Sequence, residues 1–435
     1  MAINVYVIQV ELKQKPHDLT RDAAEKLAEA VALVQAIPVQ LVGAEIISLR
    51  QMHAGLLFGS GTVERLQTEL TENAVELLFI NQALSPIQQR NLERALKIKV
   101  IDRQGLILEI FGARAQTREG KLQVELAQLQ YQRSRLVKAW SHLERQRGGL
   151  GKTGGPGETQ KELDRRMIDT KIKRLELDLS KVVKNRGVQR QARKAVPFPV
   201  VALVGYTNAG KSTLFNTLTN SGVLSADMLF ATLDPTMRIL SLPRGQKVIL
   251  SDTVGFIADL PTSLVAAFRA TLEEVLEADL IWHVQDVSHP EHVAQTDDVV
   301  QTLKKLDLPD DKVVWNVWNK CDLLPAENYA YWQTKQDKAQ GNKLGFAVSA
   351  VTGQGVDNLL AATAQFFAKT HKIYDVQVPN GAGHVLAWCY QMGQVLHRTD
   401  HDDMIKLQVQ MHPNAWAQGL LRFGDVLETK QDALL

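Results

Sequence analysis

The stretch "FPVVALVGYTNAGKSTLFNTLTN", Phe198 to Asn220, constrains the fold more than any other part of the chain. A β-branched strand, a glycine loop and a helix follow one another without a break, which is the local order of a phosphate-binding P-loop. That motif needs Gly, four residues, then Gly-Lys-Ser/Thr, and "GYTNAGKS" meets every position. Gly205 and Gly210 let the backbone fold around phosphate, so that the N–H groups of Tyr206, Thr207, Asn208 and Ala209 point inward. Lys211 can reach the β- and γ-phosphates, the Ser212 hydroxyl can ligate Mg2+, and Thr213 continues into the helix.

A second Gly-Lys-Thr lies in "GGLGKTGGPGETQ", Gly148 to Gln160. Five positions before Gly151 a P-loop requires glycine, and Gln146 stands there after a helical run rather than a strand. This stretch is no nucleotide cradle.

Three further motifs end apolar, β-branched runs. "KVILSDTVGF" closes on Asp252-Thr253-Val254-Gly255, where Asp252 suits the outer sphere of Mg2+ and the Gly255 N–H can sense a γ-phosphate. "VVWNVWNKCD" closes on Asn319-Lys320-Cys321-Asp322. An ionised Asp322 accepts from guanine N1–H and the 2-amino group; adenine would leave that buried carboxylate unpaired, at roughly 1–3 kcal/mol or more. "FAVSAVTGQG" supplies Ser349-Ala350, whose N–H groups can meet guanine O6. Four motifs in this order define a GTP/GDP-binding domain. Between the P-loop and Asp252 lies "ADMLFATLDPT", a loop expected to hold nucleotide with Phe230, Ala231 and Thr232 and to give a second hydroxyl to the metal. Thr232 is the first choice for that hydroxyl and Thr236 the alternative. Lys211, Thr232 and Gly255 are the expected catalytic groups. Phe256 follows Gly255 where many Ras-like proteins have a water-orienting glutamine, so slow intrinsic hydrolysis is expected.

At 435 residues the chain is too long for one core. Residues 1–115 alternate short apolar runs with helical patterns, as in a small α/β domain with a mainly parallel sheet. "INVYVIQVEL", "VELLFI" and "KIKVID" read as strands; "RDAAEKLAEAVALVQA" and "SPIQQRNLERAL" read as helices. Residues 116–195 read as an antiparallel helical hairpin with a Gly-rich tip, Leu122, Leu126, Leu129, Leu136 and Trp140 lining one face of its first helix. Residues 196–370 form the Ras-like P-loop domain and 371–435 a small α/β domain. In that last part "GHVLAWCYQMGQVL" reads as helical, "MIKLQVQM" as a strand and "PNAWAQGLL" as helical.

Charge is uneven. From Thr117 to Ala195 there are 20 Lys+Arg against 9 Asp+Glu, whereas the whole chain carries a net charge of only +2. A basic segment on an acidic body suits a polyanion partner, although a charge run is also what a solvated helix face carries. No run of eighteen apolar residues and no signal-like start occurs, which predicts a cytoplasmic protein without a membrane span. Cys321 and Cys389 stand far apart, without metal-ligand spacing.

Beyond these motifs, "LSPIQQRNLERAL", "VIDRQGLILEIF", "TREGKLQVELAQLQY", "GGPGETQ" followed by "DRR", "LFATLDPT" and "DTVGFI" resemble the patterns of HflX-type GTPases over nearly the full length. That resemblance implies a GTP-hydrolysing protein, expected as a monomer, that binds the large ribosomal subunit and its rRNA and splits stalled or idle ribosomes. It implies that the Gly-rich tip reaches toward the peptidyl-transferase centre. Here "GKTGGPG" lacks the arginine that many members carry, and Lys152 is the cation left to replace it. Asn208 stands where some GTPases bind K+ in place of an arginine finger; a loop-stabilising amide is the other reading. The alternative function is a GTPase of ribosome assembly or RNA remodelling, with ATP as a further substrate.

Overall fold

The computed structural model describes residues 3–13, 22–138, 156–194, 198–219, 229–230, 232–233, 235–258, 274–309, 311–338, 344–369, 372–411, 413–424 and 428–429. Trp140, Ala231 and the 148–155 part of the Gly-rich stretch lie outside the described residues.

The chain begins with four parallel strands, β1 (Ile3–Leu12), β2 (Val39–Leu49), β3 (Leu77–Ile80) and β4 (Lys99–Asp102), in the order β2-β1-β3-β4. Helices α1 (Ala23–Gln35), α2 (Ser60–Glu72), α3 (Pro86–Leu96) and α4 (Arg103–Arg114) follow them in turn. Helix α3 starts where its sequence says it should. Ser85 Oγ accepts from the Gln88 N–H at 3.2 Å while Gln88 Oε1 accepts from the Ser85 N–H at 2.9 Å, a reciprocal capping box with Pro86 in the first turn. Strand β2 is longer than any expected here. Its alternation is weak because it is an edge strand whose residues are mostly half-buried or exposed.

Helices α5 (Arg118–Lys138) and α6 (Pro156–Lys194) run antiparallel over a small core of Leu129, Ile172 and Leu175, with Leu122 and Leu126 against it. The hairpin is anchored by one buried carboxylate. Asp102 ends β4 with 1% exposure, caps α4 by accepting from the Gly105 N–H at 2.9 Å, and accepts from Tyr131 Oη at 2.7 Å. Arg135 forms an ion pair with its other oxygen and donates to Gln89 Oε1 at 2.6 Å.

The third part is a six-stranded sheet in the order β10-β9-β8-β5-β7-β6. Its strands are β5 (Val200–Gly205), β6 (Thr236–Ser241), β7 (Lys247–Asp252), β8 (Leu280–Asp286), β9 (Val314–Asn319) and β10 (Gly345–Ala347), and β6 alone is antiparallel. Helices α7 (Lys211–Thr219), α8 (His292–Lys305), α9 (Ala326–Lys338) and α10 (Val356–Ala368) belong to it. The chain closes with an antiparallel sheet, β12-β13-β11-β14. It comprises β11 (Lys372–Pro379), β12 (Gln394–Asp400), β13 (Met404–Met411) and β14 (Glu428–Thr429), with α11 (Gly383–Met392) and α12 (Pro413–Phe423). The run read as one helix from Gly383 to Leu396 therefore divides at Gly393. A Cβ there would lie 2.6 Å from Val409 Cγ1, so a close approach to β13 ends the helix and starts a strand.

Removing the Asp102 carboxylate leaves the Arg135 guanidinium, 17% exposed, without its counter-ion. Asp102→Ala is expected to cost about 3–5 kcal/mol, as for other broken buried pairs. Urea unfolding of the full chain measures it.

Candidate nucleotide-binding site

Parallel strands open all their following loops at one edge, and ligands of such sheets sit at that edge. Here the loops after β5, β7 and β9 meet there, which brings the P-loop, Asp252 and Asn319 together. Each of these is fixed by backbone contacts. The Thr207 N–H donates to Phe256 O at 2.7 Å and the Phe256 N–H donates to Gly205 O at 3.0 Å, so the P-loop and the segment after β7 are stitched side by side. Gly210 has φ +88, and a Cβ on it would meet Asn319 Nδ2 at 2.2 Å. Gly255 is tight as well, since a Cβ would lie 2.9 Å from Thr207 Cγ2 and 3.1 Å from Lys211 Nζ. Asn208, exposed, holds a left-handed backbone at φ +61.

Lys211 is 6% exposed, and its Nζ donates to Gly205 O at 3.1 Å and Tyr206 O at 2.8 Å. Burial pushes its pKa down to about 8, against the pull of Asp252. Burial also drives the Asp252 carboxyl upward, opposed by Lys211 and by the hydroxyls of Ser212 and Thr232. Those hydroxyls donate to Asp252 Oδ2 at 2.7 and 2.8 Å and lie 2.8 Å from each other. Asp252 Oδ1 is buried and takes no hydrogen bond from the described residues. A fully buried carboxylate oxygen beside two hydroxyls is a donor set suited to a hard divalent cation. Thr232, not Thr236, is the threonine brought to this cluster; Thr236 opens β6 opposite Asp252. Thr253 turns away, its Oγ1 donating to Leu203 O, and Val254 is buried in the apolar cluster below.

At the other end of the edge, Asn319 Nδ2 donates to Ala209 O at 2.8 Å, tying β9 to the P-loop. Lys320 stands at φ +62 and pairs with Asp286 Oδ2 at 2.8 Å. One expectation needs correction, and another gains a condition. Asp322 is exposed, in a one-turn helix from Cys321 to Leu323, and not buried as expected. The N–H of Ala350 already donates to Asn319 Oδ1 and that of Ser349 to Gln354 O, each at 2.9 Å. Those bonds shape the loop, and a contact with guanine O6 requires the Ala350 N–H to be shared.

Sequence reasoning missed the groups that reach the site from the first sheet. Tyr206 Oη donates to Glu29 Oε2 at 2.5 Å and accepts from the Ala258 N–H at 2.9 Å. Glu29 lies on α1, 177 positions away, and no local pattern announces that pairing.

The fold and this arrangement of strand-end motifs define a P-loop GTPase, which hydrolyses GTP to GDP and phosphate. Residues 24–112, 114–193, 200–320 and 334–433 match, in order, the families described as GTP-binding GTPase N-terminal, GTP-binding GTPase Middle Region, 50S ribosome-binding GTPase and HflX C-terminal domain. The chain is 47% identical over 396 residues to GTPase HflX of Magnetococcus marinus, covering 91% of this chain and 90% of that one. It is 39% identical over 398 residues to GTPase HflX of Escherichia coli K12, covering 90% and 91%. The chain belongs to the HflX family of GTPases. A solved structure described as SsGBP in complex with GDP shares the fold, with a TM-score of 0.50 and 22% identity over 84% of this chain and 98% of that one.

His283, on β8 beside β5, is 3% exposed, and burial, then Lys211, lowers its pKa from 6.5 to about 4. The unfolded chain takes up this proton near pH 6.5 and the folded chain only near pH 4, so stability falls as pH drops through that window. The expected contribution is about 3 kcal/mol. Urea midpoints from pH 7 to 4 should show a shallower acid decline for His283→Gln than for the parent chain.

Proposed function

We propose that this GTPase binds the large ribosomal subunit through its rRNA and, in the GTP state, separates the subunits of stalled or idle ribosomes. The observation that carries the reading is the α5–α6 hairpin. Helix α6 alone has 39 residues, roughly 58 Å at 1.5 Å per residue, and Arg165, Arg166, Lys171, Lys173 and Arg174 stand exposed along it. A long basic arm on a nucleotide-switched body suits insertion among rRNA phosphates. The match of residues 200–320 to the 50S ribosome-binding GTPase family supports the same partner. The protein acts as a monomer in the cytoplasm. Among the described residues no helix is long and apolar enough to cross a membrane.

At the site, the N–H groups from Gly205 to Thr213 cradle the phosphates, with Lys211 on the β/γ oxygens. Ser212 and Thr232 would hold Mg2+, with Asp252 behind them; the ion, when bound, neutralises charge on the phosphate oxygens. The Gly255 N–H meets the γ-phosphate. Asn319, Lys320, Asp322, Ser349 and Ala350 read guanine. A K+ ion at Asn208 is the second cation of this reading. Phe256, 2% exposed, offers no amide to orient water, so fast turnover depends on the ribosome.

Light scattering with purified ribosomes tests the principal claim. Scattering should drop on adding the protein with a non-hydrolysable GTP analogue and stay level with GDP. No drop under either nucleotide would leave only the assembly reading, and co-sedimentation with precursor particles would then decide it. Replacing Lys171, Lys173 and Arg174 by Gln should weaken large-subunit binding and flatten its dependence on salt while sparing intrinsic hydrolysis.

Guanine selection is tested separately. Asp322→Asn should weaken GTP binding by roughly tenfold or more and favour xanthosine nucleotides, because an amide donor meets the 2-keto group. An unchanged preference, measured by competition binding, would remove Asp322 from the assignment.

A further inference from the structure

The GTPase sheet does not close its nucleotide site alone. Phe230, two residues before Thr232, holds φ +57, a left-handed backbone that an aromatic residue keeps only when packing imposes it. The packing comes from the first sheet's last helix. The Phe230 ring, 2% exposed, meets Phe111 of α4 edge to face, with centroids 4.6 Å apart and planes at 81°. Phe111 is fully buried, in one apolar cluster that also contains Leu233, Phe256 and Ile257.

A polar contact does the same for the segment beyond Gly255. The Ala258 N–H donates to Tyr206 Oη at 2.9 Å, and Ala258 O accepts from Arg103 Nη2 at 3.0 Å. Both backbone groups of Ala258 are thus held at the domain boundary. Arg103 donates in addition to Glu29 Oε1 at 2.6 Å and to Asn81 Oδ1 at 2.7 Å, and Glu29 receives the Tyr206 hydroxyl proton bond. In the same structure Thr232 is drawn inward, 2.8 Å from Ser212 Oγ and from Asp252 Oδ2. The Thr232 contacts with Ser212 and Asp252 and the Phe230 contact with Phe111 thus lie two residues apart on one segment.

We infer that these are one equilibrium: the N-terminal domain, through Phe111, Glu29 and Arg103, stabilises the closed form of the switch segments and so makes the site prefer GTP to GDP. The inference rests on the GTPase assignment and adds to it three positioning residues that touch no nucleotide. Linkage makes the coupling reciprocal. A γ-phosphate with its divalent cation draws Thr232 inward and tightens the domain interface; the interface in turn tightens GTP and leaves GDP, which lacks the γ-phosphate, nearly unaffected. A domain interface that served stability alone would affect both nucleotides equally.

The test uses the full chain, with GDP and a non-hydrolysable GTP analogue, each with Mg2+, titrated calorimetrically into the parent, Phe111→Ala, Phe230→Ala, their double variant, and Glu29→Gln. The single variants should lose at least about tenfold in affinity for the analogue with less than about threefold change for GDP, and the double variant should lose no more than the worse single one. Equal losses for both nucleotides, an unchanged affinity ratio, or additive losses in the double variant would overturn the inference. Should Phe111→Ala fail to fold, Tyr206→Phe carries the test, since it removes one hydroxyl and keeps the ring. It should lower the affinity ratio in the same direction and speed hydrogen exchange at the Ala258 amide; no change in either would overturn the inference. A parent chain that bound neither nucleotide would instead refute the GTPase assignment itself.

Discussion

The nucleotide edge is organised around a buried carboxylate and a buried ammonium. Asp252 ends β7 and Lys211 opens α7 beyond the adjacent β5, and both are removed from water, where an isolated charge of either sign is costly. Each eases the burial of the other, yet Lys211 is still pushed down to about 8. Two hydroxyls take one oxygen of Asp252 and leave the other without a partner. A buried carboxylate oxygen beside two hydroxyls suits a hard cation at this edge. The glycines at 210 and 255 exist because nothing larger fits between these groups.

What the sequence reveals here is what lies close along the chain. Each nucleotide motif is a strand end and its next few residues, so strand, turn and chemistry can be read in one window. Ser85 and Gln88 are legible for the same reason, as a cap three residues long. Asp102 reads only as the last residue of "KIKVID"; its partners Tyr131 and Arg135 arrive from the hairpin and depend on how α5 packs. Strands β2 and β12 escape notice because each is an edge strand whose residues are mostly half-buried or exposed, which leaves little alternation. The Ser349 and Ala350 donors show what lies beyond such a window. Their N–H groups bond Gln354 O and Asn319 Oδ1 within the chain, contacts that the motif itself does not announce.

The N-terminal sheet gives this local picture its longest-range exception. With strand order β2-β1-β3-β4, the chain leaves β1 in one direction for β2 and in the other for β3, and open α/β sheets take ligands at that reversal. Here the polar groups at the reversal, Gln9 and Asn81, are bonded to each other at 2.6 Å and lead through Arg103 to the Ala258 carbonyl. The crevice faces the GTPase domain. A four-stranded sheet has little core to spare, and its residues share one apolar cluster with the residues around Phe230 and Phe256.

Phe256 then explains why the absent glutamine is more than a lost catalytic group. Its backbone ties to the P-loop at Gly205 and Thr207, and its ring is buried in the cluster that joins the two domains. An amide there would have to leave water unpaired or turn out of the cluster. One position cannot both orient an attacking water and complete an apolar domain interface. In this chain it completes the interface, in the same apolar cluster where Phe230 of the segment before Thr232 packs on Phe111 of α4.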